Sequence, residues 1–377
     1  EGQITQGGSQ HFADRVSSVT ASLVERLKTA GVYALGKTHT VEFAMGGWGT
    51  NQHLGTPVNP WDLDTHRAPG GSSSGSGVAV AAGLAPWAIG TDTGGSVRLP
   101  SAWCGLTGLK TTVGRVSTYG VIPLSPTLDT PGPMCHCVED AAHLFTLLQG
   151  PDDKDPRTKI VPPADVLTTL DDGVTGLNLA ILADCELDSV EPAVRSAYES
   201  SIACLEAQGA RIAEAQLPVR FEDMVENTMQ IIAAEGYSFY GELIDDPRVT
   251  LDDDVRPRLG PGRHILAKDY LLALRERETI KERFAKIFQD FDALLTPTTA
   301  MTAPVVDDID QTSTPAVFTR PANFLDACAL ALPNGFSPQG LPTSLQVMCG
   351  GYQEAMVLRI GQAYQRDTQW HLQRPAI

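Results

Sequence analysis

Apolar positions along the chain fall into short periodic segments separated by long polar or glycine-rich gaps. Val19, Leu23 and Leu27 lie four apart within residues 14–30, the spacing that lines one face of a helix, and Gly31 marks its end. Residues 32–35 read as a short buried strand. Residues 46–77 are rich in Gly, Pro, Ser and Asn with little apolar periodicity, and a loop of that length is usually functional. A small-residue helix is expected over 78–83 and a buried strand over 86–90. After a polar, Pro/Asp-rich stretch at 150–175 come a strand at 177–182 and a helix at 191–208, with Val194, Tyr198, Ile202 and Leu205 inward. A strand near 210–216 follows, then long amphipathic helices at 222–243 and 266–290. Strands at 293–295 and 344–348 and a last helix at 353–366 close the pattern. Alternation of strand and helix implies an α/β layer architecture.

Composition narrows the function classes. The chain has 377 residues, 42% hydrophobic and 19% charged, enough for a large buried core. Its net charge of −17 repels phosphate backbones, so direct nucleic-acid binding is not expected. Seven scattered cysteines point to reduced thiols and a cytoplasmic setting. Cys135-His136-Cys137 has no second half-site at zinc spacing, so no metal is expected. The most apolar run, 78–89, is too short to span a bilayer and is broken by Pro86. The polar N-terminus is no signal peptide and lacks an initiator Met, so the sequence is expected to begin inside a longer protein.

Two segments carry the candidate chemistry. They are Pro69-Gly70-Gly71-Ser72-Ser73-Ser74-Gly75-Ser76-Gly77 and Gly90-Thr91-Asp92-Thr93-Gly94-Gly95-Ser96-Val97-Arg98. Each sets a serine directly after a Gly-Gly pair. Glycine lets the backbone turn tightly and approach a ligand, and successive N–H groups in such a turn can converge on one anion. A serine beside such a hole has the geometry of acyl transfer. Three other readings compete. A flexible linker is disfavoured by the interleaved apolar segments. A phosphate cradle lacks both the Walker Lys-Ser/Thr and the dinucleotide glycine pattern. Gly71-Ser72-Ser73-Ser74-Gly75 matches a nucleophile elbow centred on Ser73, but no strand precedes it, and His264 and His371 are its downstream candidates for the partner histidine.

These residues resemble the amidase signature family. The two key serines are separated by 96 − 72 = 24 residues, the family's spacing. Similar flanks include Glu42-Phe43-Ala44-Met45-Gly46, Asn59-Pro60-Trp61-Asp62, Cys104-Gly105-Leu106-Thr107-Gly108-Leu109-Lys110, Leu128-Asp129-Thr130-Pro131-Gly132-Pro133, Leu295-Thr296-Pro297-Thr298 and Gly340-Leu341-Pro342. The resemblance implies an α/β fold with a mixed central sheet covered by helices on both faces, the N-terminal part missing. It implies one domain over 1–377: a signature core at about 31–150, a variable specificity region at about 151–290 and a C-terminal part at 291–377. The implied reaction is hydrolysis of an amide, carbamate or urea C–N bond through an acyl-Ser96 intermediate, without cofactor or metal. Ser96 would be the nucleophile and Ser72 the bridging serine, entered by a cis peptide bond from Gly71. Thr93, Gly94, Gly95 and Ser96 would donate to the oxyanion, and Ala44, Met45 and Gly71 would line the substrate site. Asp92 and Arg98 would hold the glycine turn.

The chain departs from the family at its base. The family's catalytic lysine, kept neutral by its surroundings, lies upstream of the position aligned with Glu1, and no residue here matches it. Lys37 and Lys110 occupy other family positions. His39 replaces the usual Asn, as a hydrogen-bonded structural residue or a pocket-lining one. The alternatives are the glutaminase-type A subunit of a tRNA-dependent amidotransferase and a truncated non-catalytic scaffold. The expected partner is a small amide-type substrate, with no membrane or nucleic acid; a homodimer is compatible with the sequence. Specificity is assigned to 115–130 and 220–265.

Overall fold

A computed structural model describes residues 1–377. Eight strands form one mixed sheet: β1 (Trp87–Asp92), β2 (Thr107–Lys110), β3 (Thr130–Cys135), β4 (Asn178–Ile181), β5 (Arg211–Glu214), β6 (Ala293–Pro297), β7 (Cys328–Phe336) and β8 (Pro342–Cys349). Their spatial order is β1-β3-β2-β7-β8-β6-β4-β5. β4 runs parallel to β5 and β6, and the other neighbours are antiparallel. The α-helices are α1 (Ser22–Thr29), α2 (Ser74–Ala81), α3 (Arg98–Trp103), α4 (Val138–Leu148), α5 (Pro192–Ala207), α6 (Val225–Asp245), α7 (Val255–Leu259), α8 (Ala267–Ala285), α9 (Ile287–Asp290), α10 (Arg320–Phe324) and α11 (Glu354–Asp367).

α4, α5 and α11 pack against one face of the sheet, and α2, α3 and α10 cover the other, giving the α/β layering. β2, β7, β8 and β6 are buried throughout except at Phe336, as strands covered by helices on both faces must be. The main core gathers Leu109, Phe145, Leu179, Leu295, Leu330, Val347 and Leu358 from both sides of that sheet. A second cluster joins Phe43, Met45, Leu124 and Leu128 to Ile231 and Tyr240 of α6 and Leu259 of α7. It fastens the helical layer of 225–285 to the loops beside β1 and β3.

Three expectations change. Residues 32–35 form no strand: they pair with no neighbouring strand, and Tyr33 and Leu35 stand 84% and 70% exposed, while Val32 alone packs against the core. The first helix spans only Ser22–Thr29, and Val19 lies outside it, largely solvent-facing, while Leu23 and Leu27 are buried as expected. The small-residue helix starts earlier, at Ser74, directly after the first serine loop. Val194, Tyr198 and Leu205 do face inward from α5, with Ile202 half-buried.

Candidate active site

β1 ends at Asp92, and the chain turns through 93–97 into α3. The turn is built around the Asp92 carboxylate. Its Oδ1 accepts from the Gly95 N–H at 2.8 Å, and its Oδ2 accepts from the Val97 N–H at 3.1 Å. Arg98 closes the knot from α3, donating Nη2 to Asp92 Oδ1 at 2.9 Å and Nε to Oδ2 at 3.0 Å. The remaining donors of Arg98 go to the Thr319 carbonyl, Gln346 Oε1 and Asn323 Oδ1. Asp92 and Arg98 are both fully buried. Burial alone would raise the Asp92 carboxyl, but the Arg98 charge and its hydrogen bonds outweigh burial and hold it below the ordinary carboxylate range. Both residues shape the glycine turn, as the sequence implied. Gly95 has φ +135°, and a Cβ there would lie 2.2 Å from Thr319 Oγ1, so only glycine fits.

The first serine loop lies against this turn. The Gly71–Ser72 peptide is cis. The Ser72 carbonyl accepts from the Val41 N–H at 3.1 Å and the Thr40 hydroxyl at 2.8 Å. The Ser73 N–H donates to the Ser96 carbonyl at 3.3 Å, which joins the two loops backbone to backbone. Ser72 Oγ is buried and has no hydrogen-bond partner, so it is bonded neither to Ser96 nor to any lysine. Ser96 is 8% exposed. Ser73 is no elbow nucleophile, because its hydroxyl is engaged with the Thr91 backbone N–H and carbonyl.

The four expected oxyanion donors divide. The Gly95 N–H is spent on Asp92, which removes Gly95 from the expected set, whereas the N–H groups of Thr93, Gly94 and Ser96 have no acceptor in the protein. Thr93 also donates its hydroxyl to Asp129 Oδ1 at 2.5 Å. Asp129 Oδ2 accepts from the Leu124 and Ser125 N–H groups at 2.9 and 3.0 Å. Burial pushes Asp129 up to about 6, against the pull of these three donors. Glu235 of α6 continues the chain, accepting from the Ser125 hydroxyl at 2.5 Å, from both the N–H and hydroxyl of Thr127, and from the Tyr270 hydroxyl of α8 at 2.6 Å.

A narrow cleft of about 420 Å³, counted to its open mouth, runs beside the turn. Thr93, Ala44, Ile122, Pro123, Pro126 and Asp129 help to line it. It reaches the oxyanion turn at Thr93 but does not include the Ser96 or Ser72 side chain. Of the three residues expected to line the substrate site, Ala44 borders this cleft. Met45 does not, because it packs into the core beside Phe43 and α6, and Gly71 lies under the loop against Gly46 and Gly49. His39 donates from Nε2 to the Leu54 carbonyl at 2.9 Å, a structural contact. Lys37 donates to the Ile4 carbonyl at the surface. Lys110 is fully buried, donates to the Thr111 and Ala327 carbonyls, and is lowered to about 8 chiefly by burial. Neither lysine reaches Ser72. Sequence reasoning quoted Asp129 without a role and missed Glu235, Tyr270 and Arg320, which no local motif marks.

Comparisons with known proteins identify the family. The model of the Amidase family matches residues 1–358. The A subunit of glutamyl-tRNA(Gln) amidotransferase from Marinomonas is 35% identical over all of this chain and 82% of its own length. The crystal structure of the corresponding protein from Thermotoga maritima superposes with a TM-score of 0.86 at 33% identity, covering 97% of this chain and 80% of the other. The native peptide amidase of Stenotrophomonas maltophilia gives 0.83 at 29% identity, over 98% and 80%. The chain belongs to the amidase family, whose members act on carbon–nitrogen bonds. No helix is long and apolar enough to cross a membrane.

Proposed function

We propose that the protein hydrolyses a small amide-type C–N bond through an acyl-Ser96 intermediate. The observation that carries this reading is the junction of the two serine loops, Ser73 N–H to the Ser96 carbonyl, next to three backbone N–H groups without acceptors. In this mechanism Ser96 Oγ attacks the carbonyl carbon, and its proton passes through Ser72 to a lysine amine. The carbonyl oxygen becomes an oxyanion held by the N–H groups of Thr93, Gly94 and Ser96. Collapse of the tetrahedral adduct breaks the C–N bond, and the proton returns to the leaving nitrogen. Water then hydrolyses the ester by the same route in reverse order. The buried, unpartnered Ser72 hydroxyl is where the lysine expected upstream of Glu1 acts.

A second reading is favoured by the similarity to amidotransferase A subunits: glutamine as substrate, with ammonia passed to a partner. Purified full-length protein separates the two readings. Hydrolysis of simple amides by the protein alone supports the first, and glutaminase activity that needs partner subunits supports the second. Both require a fluorophosphonate probe to modify Ser96. Failure to label it in the lysine-containing protein rejects the acyl-enzyme and leaves the non-catalytic reading.

A further inference from the structure

Four arginines are buried: Arg98, Arg115, Arg277 and Arg320. The first three are each paired with a carboxylate, from Asp92, Glu354 and Asp326 respectively. Arg320 is paired with none. It is 7% exposed, and the one hydrogen bond of its guanidinium runs from Nη2 to Thr314 Oγ1 at 3.0 Å. Its Nε and Nη1 are buried without any partner. Burial alone acts on it and lowers it to about 10, so it stays charged at neutral pH. A buried guanidinium with no counter-charge is costly to keep in a fold.

Its position gives that cost a use. Arg320 opens α10, and the preceding Thr319 donates its hydroxyl to the Gly94 carbonyl at 2.8 Å, clamping α10 onto the oxyanion turn. Arg320 Nε lies 3.8 Å from where a Cβ on Gly94 would stand. The free cation therefore abuts the residue whose N–H faces the reacting oxygen in the proposed mechanism.

We propose that Arg320 binds a carboxylate of the substrate, so that the substrate is a short monoamide of a dicarboxylic acid. This rests on the acyl-Ser96 reading. A guanidinium has five N–H groups, of which Thr314 takes one, leaving enough for a two-point grip on a carboxylate. The closeness of Arg320 to Gly94 permits only a few bonds between that carboxylate and the scissile amide. Long or neutral amides leave the charge uncompensated and are selected against.

The test uses full-length protein and the rate of fluorophosphonate labelling at Ser96. Glutaramate should protect Ser96 at ~10–100-fold lower concentration than valeramide, its neutral counterpart, the worth of a hydrogen-bonded charge. Inorganic phosphate should not protect. Arg320→Met should erase the difference while its unfolding midpoint holds or rises, and Arg320→Lys should restore it in part. Equal protection by glutaramate and valeramide in the unmutated protein, protection by phosphate, or an unchanged preference in Arg320→Met overturns the proposal and leaves Arg320 a structural cation. If Ser96 takes no label at all, the acyl-enzyme reading fails by itself. The anion site is then read separately, as a glutaramate-dependent rise in unfolding temperature that Arg320→Met abolishes.

Discussion

Replacing Asp92 by Asn tests whether the ionic knot under the 93–97 turn holds it in shape. The Asp92 carboxylate accepts from the Gly95 and Val97 N–H groups, from Arg98 Nε and Nη2, and from Asn323 Nδ2. An Asn side chain is nearly isosteric, so no cavity opens. It keeps one acceptor oxygen and turns an NH2 toward groups that are all donors. Arg98 is left as a fully buried cation without a counter-charge. Breaking such a pair costs ~3–5 kcal/mol, about a fifth or more of a typical domain's stability of about 5–15 kcal/mol. The assay is urea unfolding of Asp92→Asn, Arg98→Met and the double variant, with fluorophosphonate labelling of Ser96 beside it. The double variant should cost at least ~2 kcal/mol less than the sum of the singles, because the second change removes the orphan left by the first. The pH dependence has a definite sign. The Asp92 carboxyl is depressed in the folded state, so its contribution is present above the ordinary carboxylate range and is lost as pH falls through the depressed value. The deficit of Asp92→Asn should therefore shrink in acid. A loss below ~1 kcal/mol at neutral pH, or strict additivity, refutes the reasoning.

Ser96→Ala should abolish labelling and amide turnover while the unfolding midpoint stays within ~0.5 kcal/mol of the parent, since its hydroxyl makes no internal hydrogen bond; retained turnover rejects Ser96 as nucleophile. Gly71→Ala should cost ~1–3 kcal/mol or more and slow labelling, because its Cβ would lie 2.6 Å from the Gly46 carbonyl oxygen and 2.7 Å from the Gly49 nitrogen, both backbone atoms; a stable, fully labelled variant contradicts that packing. Asp129 is raised to about 6, so the native state binds its proton more tightly than the unfolded chain, and stability should fall as pH rises from about 4 to about 6. The loss is on the order of 2–3 kcal/mol, read from unfolding curves across that range, and Asp129→Asn should flatten it; an unchanged slope in the variant assigns it to another group.

The parts legible in the sequence are those fixed by local backbone chemistry. The two Gly-Gly-Ser turns announced themselves because glycine is needed where chains approach within van der Waals limits, as at Gly71 and Gly95. Amphipathic α5 could be read from Val194, Tyr198 and Leu205, since one apolar face suffices to identify it. β7 escaped notice. Its Cys-Ala-Leu-Ala-Leu-Pro-Asn-Gly-Phe carries neither alternation nor β-branched residues, and its strand state comes from lying between β2 and β8. Residues 32–35 failed in the opposite sense: apolar side chains are necessary for a buried strand, but a covering partner decides. The site was half visible for the same reason. Ser72, Ser96 and the turn lie in two compact motifs. Arg320 stands 224 residues beyond Ser96 by subtraction of their numbers and is brought to Gly94 only by the sheet order, which places β7 and β8 behind α3.

The anchoring of the 122–127 wall has a consequence for how such a site can change. Glu235 and Tyr270, on two long helices, hold that wall through Ser125 and Thr127, whereas the turn bearing Ser96 is held by Asp92, Arg98 and Asn323 on the sheet side. The two frames meet at one joint, Asp129, which accepts from Thr93 on the turn and from Leu124 and Ser125 on the wall. A tilt or a one-turn lengthening of either helix would redraw the mouth of the cleft and reach the turn only through that carboxylate, so the pocket can be reshaped with a single point of strain on the proposed nucleophile loop.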